Sequence, residues 1–191
     1  TKKLVTPLGK ARFFCIGREE TYEGKGTGKQ TAQIVLEGKA LQEMTAHVDE
    51  FVSEFFTPKE IASGVNLPFK KTKDGEAFIK AKAYFTTKDG DPVRIPVSDS
   101  KGKLIAEPPQ IGNGSSVRLR IVLKKTKFQG KLYVGVDLRG VQIAKLVEYS
   151  EGGFDAVEDE DGDGYVADEF SSKPKDTSGF PDEDLDDEIP F

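Results

Sequence analysis

Apolar and polar positions alternate along this chain in runs short enough to be strands, and in only one stretch do they fall at helical spacing. Segment 76–88 places Ala77, Ile79, Ala81, Ala83 and Phe85 on one side and Phe78, Lys80, Lys82, Tyr84 and Thr86 on the other. That period of two is the mark of a half-buried strand. Segment 117–125 repeats it, with Val117, Leu119, Ile121 and Leu123 inward and Arg118, Arg120, Val122 and Lys124 outward. So does 131–138, with Leu132, Val134, Val136 and Leu138 inward and Lys131, Tyr133, Gly135 and Asp137 outward. Further strands are predicted at 10–18 and 31–36, at 92–97 pairing back across the turn Lys88-Asp89-Gly90-Asp91, and at 141–149 beyond a bend at Gly140. The helical stretch is 39–56, where Leu41, Met44, Val48, Phe51, Val52 and Phe55 recur at steps of three and four and form a stripe that must pack on a sheet. Residues 1–9 read as an arm, 19–30 as a glycine-containing loop and 57–75 as a long loop.

About seven short β segments with turn signals between them and one inserted helix predict an all-β domain over 1–150, a small, highly curved antiparallel barrel. Among such barrels the OB-fold presents an open sheet face and its loops to oligonucleotides.

Charge divides the chain in two. Residues 1–150 carry 26 Lys+Arg against 17 Asp+Glu, a balance of +9, whereas 151–191 carry 2 against 16, a balance of −14; together they give the net −5. The acidic segment cannot bury enough apolar surface to offset its ordering entropy, so 151–191 is expected to be a disordered tail. Its last residues, Asp186, Asp187, Glu188, Ile189, Pro190 and Phe191, join carboxylates to an apolar tip suited to a pocket lined by basic groups. A basic body joined to an acidic tail suggests a body that binds a polyanion and a tail able to occupy the same surface.

The outward strand positions give that surface its chemistry. Phe78, Tyr84 and Tyr133 interleave with Lys80, Lys82, Arg118, Arg120, Lys124 and Lys131, and nearby loops add Lys70, Lys71 and Phe128. Unpaired bases stack on aromatic rings while lysine and arginine follow the phosphates, so these twelve residues are the candidate site for single-stranded nucleic acid. No basic helix is free to enter a major groove, and binding is expected to be largely independent of sequence.

Other chemistries are poorly supported. Gly24, Gly26 and Gly28 lack the spacing and the strand-to-helix context of a phosphate loop. His47, the only histidine, has no ligand partners at metal spacing, and the single Cys15 excludes an internal disulfide, in keeping with a reducing compartment. Asp159, Asp161 and Asp163 resemble the start of a calcium loop, but Phe170 stands where a bidentate Glu is needed. No metal and no cofactor is expected. No apolar run is long enough to span a bilayer, and no signal peptide is visible, so a cytoplasmic location is expected.

The elements AFIKAKAYFTT, VSDSKGKLI, PPQIGNGSSVRLRIVL and YVGVDLRGVQIAKLVEY, followed by GYVA, resemble the single-stranded-DNA-binding proteins of short-tailed, T-odd-type bacteriophages. The likeness spans about 76–167 and extends to the N-terminal arm with its two lysines. It implies an OB-fold with one inserted helix, non-specific binding and annealing of single-stranded DNA, a homodimer, and an acidic tail that competes with DNA and contacts the replisome. Those roles imply DNA replication, recombination and repair in the cytoplasm of a bacterial host. The tip DDEIPF is more similar to the end of bacterial host-type single-stranded-DNA-binding proteins, which leaves two classes of partner open. These are a DNA polymerase or helicase-primase of the phage, and the host proteins that read such tips. Two other classes are weighed against a binding protein: a metal-dependent nuclease, and a histone-like or RNA-chaperone module.

Overall fold

The computed structural model describes residues 1–148. The tail expected over 151–191, its tip and the aspartates of the calcium-like loop lie outside the described residues. The strands are β1 (Lys2–Val5), β2 (Gly9–Cys15), β3 (Thr21–Tyr22), β4 (Lys25–Gly26), β5 (Lys29–Leu36), β6 (Val65–Asn66), β7 (Phe69–Lys71), β8 (Ala77–Tyr84), β9 (Val97–Ser98), β10 (Ser116–Phe128) and β11 (Lys131–Lys145). The helices are α1 (Gly38–Phe55) and α2 (Pro58–Ala62).

Strands β2, β5, β8, β11 and β10 pair in that order, and β10 returns to β2, so the sheet closes into a five-stranded barrel. All these neighbours are antiparallel except β8 and β11, which run parallel with Asp137 opposite Lys82. This is the OB-fold expected from the alternation, with α1 inserted after the second barrel strand. Closure is made at Gly9, opposite Val117. On its other side a Cβ on Gly9 would lie 2.4 Å from the Val35 carbonyl oxygen of β5, so β2 can lie this close to β5 only with a glycine at that position.

The inward positions fill the barrel as the period of two requires: Ile34, Ile79, Ala81, Val117, Leu119, Ile121, Leu123 and Leu138 are buried. From α1, Met44, Val48 and Phe51 are fully buried, while Leu41, Val52 and Phe55 pack half-buried at the edge of the core. Phe51 stacks on Phe55 at 4.6 Å and meets Phe56 edge-on at 6.1 Å. Each large apolar side chain removed from water in this way contributes about 1.5–3 kcal/mol.

Four expectations need correction. The N-terminal arm is not free: Lys2–Val5 form β1, an extra strand on β10, and Thr6 continues it by exchanging two hydrogen bonds with Leu119. The loop 19–30 folds back on itself as the small hairpin β3–β4. The long loop 57–75 holds α2, β6 and β7, because Thr57 and Glu60 form a capping box around Pro58 and Phe69–Lys71 add a short edge to β8. Segment 92–97 does not pair back as a strand, since the turn makes a single bridge, Thr86 to Pro92, and Val97 instead runs parallel to Val141. In addition, β11 continues through Gly140 to Lys145, absorbing the bend as a register shift at Arg139.

The capping box is tied to the barrel by Lys125, whose Nζ lies 2.6 Å from the Glu60 carboxylate and 4.9 Å from the centre of the Phe56 ring. The Lys125 ammonium, together with the Thr57 backbone N–H, holds the Glu60 carboxyl down from 4.5 to about 2. A depressed carboxylate stabilises the fold above its ordinary value, and that contribution is lost as pH falls through the folded value. Acidification is therefore expected to release α2 from Lys125 only near pH 2, read as a titration of the Glu60 and Thr57 resonances. A midpoint near 4.5 would show the pair to be unformed in solution.

Candidate nucleic-acid interface

One side of the barrel carries an open groove of about 750 Å³, floored by β8, β10 and β11 and walled by the loops around 66–70 and 93–96. Its cations are Lys29, Lys70, Lys80, Lys82, Arg94, Lys124 and Arg139, its aromatic rings are Tyr84 and Tyr133, and Asp137 is its one carboxylate among the described residues.

Strand register explains why these groups meet. Lys29 stands opposite Tyr84, and Lys82 stands opposite Asp137 across the parallel β8–β11 pair. On β10 and β11, Lys124 faces Gly135 and Thr126 faces Tyr133. A Cβ on Gly135 would lie 3.0 Å from Lys124 Cγ, so the glycine leaves a trough along which Lys124 lies flat to reach Asp137, 2.7 Å away. Arg139 approaches the other oxygen of Asp137 at 3.8 Å. Lys80 is paired with Glu20, which also accepts a hydrogen bond from Thr31.

Lys29, Lys70, Lys82 and Arg94 lack any carboxylate within ion-pair distance among the described residues. The consequence is visible at Lys82. Partial burial pushes its ammonium below the ordinary lysine range, and the charges of Lys29, Lys80 and Lys70 push it further, against a smaller opposing effect of Glu20. Like charges gathered on a concave surface without counter-charges are favourable sites for phosphate. Tyr84 is 73% exposed and so presents a ring face to any base laid in the groove.

The walls are fixed in advance. Loop 66–70 is held by the pairing of Val65 with Leu132 and Asn66 with Tyr133, and by the Asn66 side-chain amide donating to the Leu132 carbonyl at 2.9 Å. The opposite wall is held by Gln30, fully buried, whose Nε2 donates to the Val93 carbonyl at 2.6 Å while its Oε1 accepts from Gly17 N at 2.8 Å.

Of the twelve residues singled out from the sequence, Lys70, Lys80, Lys82, Tyr84, Lys124 and Tyr133 line the groove. The other six do not. Phe78 stands directly opposite Lys70, at the groove's margin, with Arg12 against its ring. Lys71 is exposed at the end of β7. Arg118 and Arg120 project from the part of β10 beyond its register shift, beside Gln142 and Gly140. Phe128 and Lys131 face each other at the β10–β11 tip, where Phe128 is 61% exposed. Sequence reasoning missed Lys29, Arg94 and Arg139, each of which sits at an element's end, between prolines or in a bulge, where alternation gives no facing. His47 does not line the groove and stands 4.0 Å from Glu50 on α1. No group of three or more metal-ligating side chains exists among the described residues, and none of their helices is long and apolar enough to cross a membrane.

No family model matches the chain. In sequence it is 29% identical over 128 residues to the single-stranded DNA-binding protein of Escherichia phage T7, covering 62% of this chain and 55% of that protein. It is 35% identical over 113 residues to the single-stranded DNA-binding protein of Enterobacteria phage T3, covering 54% and 48%. The chain thus spans about half the length of the curated relatives it matches. In structure it resembles gp2.5, a single-stranded DNA-binding protein encoded by bacteriophage T7, with a TM-score of 0.61 at 22% identity over 87% of this chain and 98% of that one. It also resembles the single-stranded DNA-binding protein of bacteriophage Enc34 in its complex with single-stranded DNA, with a TM-score of 0.56 at 13% identity over 76% and 88%. In sequence the chain thus resembles the single-stranded DNA-binding proteins of these two phages, and in fold it resembles those of T7 and Enc34, a likeness that its own motifs indicated.

Proposed function

We propose that the chain binds single-stranded DNA without sequence preference in the groove between loops 66–70 and 93–96. The observation that carries this reading is the groove's composition: seven cations and two tyrosines against one carboxylate. Lysine and arginine displace counterions from the phosphates, and each tyrosine offers a stacking face worth about 1–3 kcal/mol per base. The resemblance to proteins whose names describe this activity supports the same substrate. The twelve residues named from the sequence remain the proposed contacts, with Lys29, Arg94 and Arg139 added to them.

In this reading the body over 1–150 coats and anneals single strands during phage DNA replication, recombination and repair in the host cytoplasm, acting as a homodimer and not as an enzyme. The acidic segment 151–191 occupies the groove when DNA is absent. Once displaced, its stretch from Asp186 to Phe191 recruits a polymerase, a helicase-primase or a host protein. Asp137, the groove's one carboxylate among the described residues and already held by Lys124, is poorly suited to the paired metals of a nuclease.

The test is competition binding of labelled single-stranded DNA against duplex DNA and RNA in the presence of Mg²⁺. Single strands are expected to win. Equal binding of duplex would overturn the reading in favour of a histone-like module, and cleavage that survives repurification would make the protein an enzyme. Removing residues 171–191 is expected to tighten DNA binding several-fold at low salt and much less at high salt, because screening already weakens the tail's competition. Unchanged affinity at low salt would remove the guarding role.

A further inference from the structure

Strand β2 carries an irregularity whose chemistry the groove does not use. Arg12 pairs with Gln33 and Cys15 with Thr31, so Phe13 and Phe14 together oppose the single residue Ala32, which is a β-bulge. The bulge sends the two phenylalanines to opposite sides. Phe14 is buried in the core, whereas Phe13 is 54% exposed. Phe13 also adopts φ +45°, a left-handed conformation that a bulky side chain rarely takes, and its backbone N–H is fixed by the Asn113 carboxamide oxygen at 2.9 Å. A strained residue with a large ring turned to solvent calls for a use of that ring.

Its surroundings suggest one. The Arg12 guanidinium lies against both the Phe13 ring, at 4.9 Å, and the Phe78 ring, at 5.4 Å. Phe78 stands directly opposite Lys70 of the groove wall. On the same outward row, Arg12 is opposite Gln33, and Gln33 is opposite Lys80 of the groove. The array therefore begins at the groove's edge and ends two strand spacings away, about 10 Å.

Resting on the proposed binding of single-stranded DNA in the groove, we propose that Phe13, Arg12 and Phe78 form a second base-stacking platform that takes the nucleotides leaving the groove across β5 and β2. The free face of Phe13 stacks on a base, and Arg12, held in plane by the two rings, meets the adjoining phosphate or base. Holding Arg12 between rings also keeps its side chain ordered before DNA arrives, which reduces the entropy lost on binding.

The experiment is a length series of oligo-dT bound to full-length protein and to Phe13→Asn. Asparagine tolerates positive φ, so the variant removes the ring while easing the backbone strain. Wild-type affinity is expected to rise with length and then gain a further step when the strand reaches the platform. Phe13→Asn should match wild type on the shortest oligonucleotides and lose at least about fivefold on the longer ones, the worth of a single stack. Phe13→Tyr, which keeps the ring, should restore the step. Equal affinity of wild type and Phe13→Asn at every length would overturn the platform while leaving the groove in place. An equal loss at every length would also overturn it, by placing Phe13 within the groove's own action. Absence of wild-type binding at any length would remove the groove reading itself.

Discussion

Replacing Lys29, Lys70 and Lys82 together with alanine is expected to weaken binding of single-stranded DNA by about 100-fold at 0.1 M salt. The magnitude follows from counterion release, in which each phosphate neutralised on a single strand contributes a slope of about −0.7 to log K against log salt. Three such contacts give a slope change of about 2, and at 0.1 M that converts to about two powers of ten. The same variant should therefore differ from wild type far less near 1 M salt. These three lysines are chosen because none is engaged with a carboxylate among the described residues, unlike Lys80 with Glu20 and Lys124 with Asp137. Their loss breaks no ion pair. At Lys82 it removes an ammonium that burial and its cationic neighbours already disfavour, so thermal stability should hold or rise slightly. Affinity measured by anisotropy at four or more salt concentrations decides the matter. A loss of affinity that does not shrink with salt would show that these lysines act through the fold rather than through phosphates.

The alternation that made β8, β10 and β11 legible also fixed which of their residues point outward, and that is why Lys80, Lys82, Tyr84, Lys124 and Tyr133 were found together. The limits of that reading come from curvature. On a flat sheet, outward positions share one surface, but on a closed barrel they are spread around a ring, and only the sector beneath the two loops is a groove. Arg118 and Arg120 obey the same alternation as Lys124 and still fall outside that sector, beyond the register shift in β10. Loop walls pose a different difficulty. Arg94 and the segment Asn66-Leu67-Pro68 reach the groove through pairing with residues some forty to seventy positions away along the chain, and no local pattern encodes that. The bulge at Phe13 is a third case, because an adjacent pair of phenylalanines reads equally well as one inward and one outward residue of a regular strand. Only the pairing with β5 shows that a residue has been added and that Phe13 is held in an unusual conformation.

Replacing Gln30 with alanine is expected to lower the stability of the body by about 2–4 kcal/mol, through a cavity in the core and the loss of two part-buried hydrogen bonds. Gln30 is fully buried and its carboxamide has no freedom of orientation: its oxygen must face the Gly17 N–H and its nitrogen the Val93 carbonyl. It is a polar side chain in the core, and it joins the end of β2, the start of β5 and the loop that carries Arg94. Alanine supplies neither donor nor acceptor. Leucine of similar volume would fill the space yet leave the same two backbone groups unpaired, so it should rescue only part of the loss. At about 2–4 °C per kcal/mol for a domain of this size, the alanine variant should melt roughly 4–16 °C lower. The functional consequence is separate from the loss of stability. Hydrogen exchange should accelerate at Gly17 and around 93–96 well below the melting temperature, because the Val93 wall loses its side-chain anchor and is left with the backbone bonds of Val93 to Phe85 and of Val141 to Pro96, while the barrel strands stay paired. DNA affinity should fall with it, since a wall that must be ordered on binding costs affinity that a fixed wall does not. If exchange instead accelerates uniformly through β5, β8 and β11, Gln30 acts as ordinary core filling, and the groove's second wall is held by its backbone bonds, Val93 N–H to the Phe85 carbonyl and Val141 N–H to the Pro96 carbonyl.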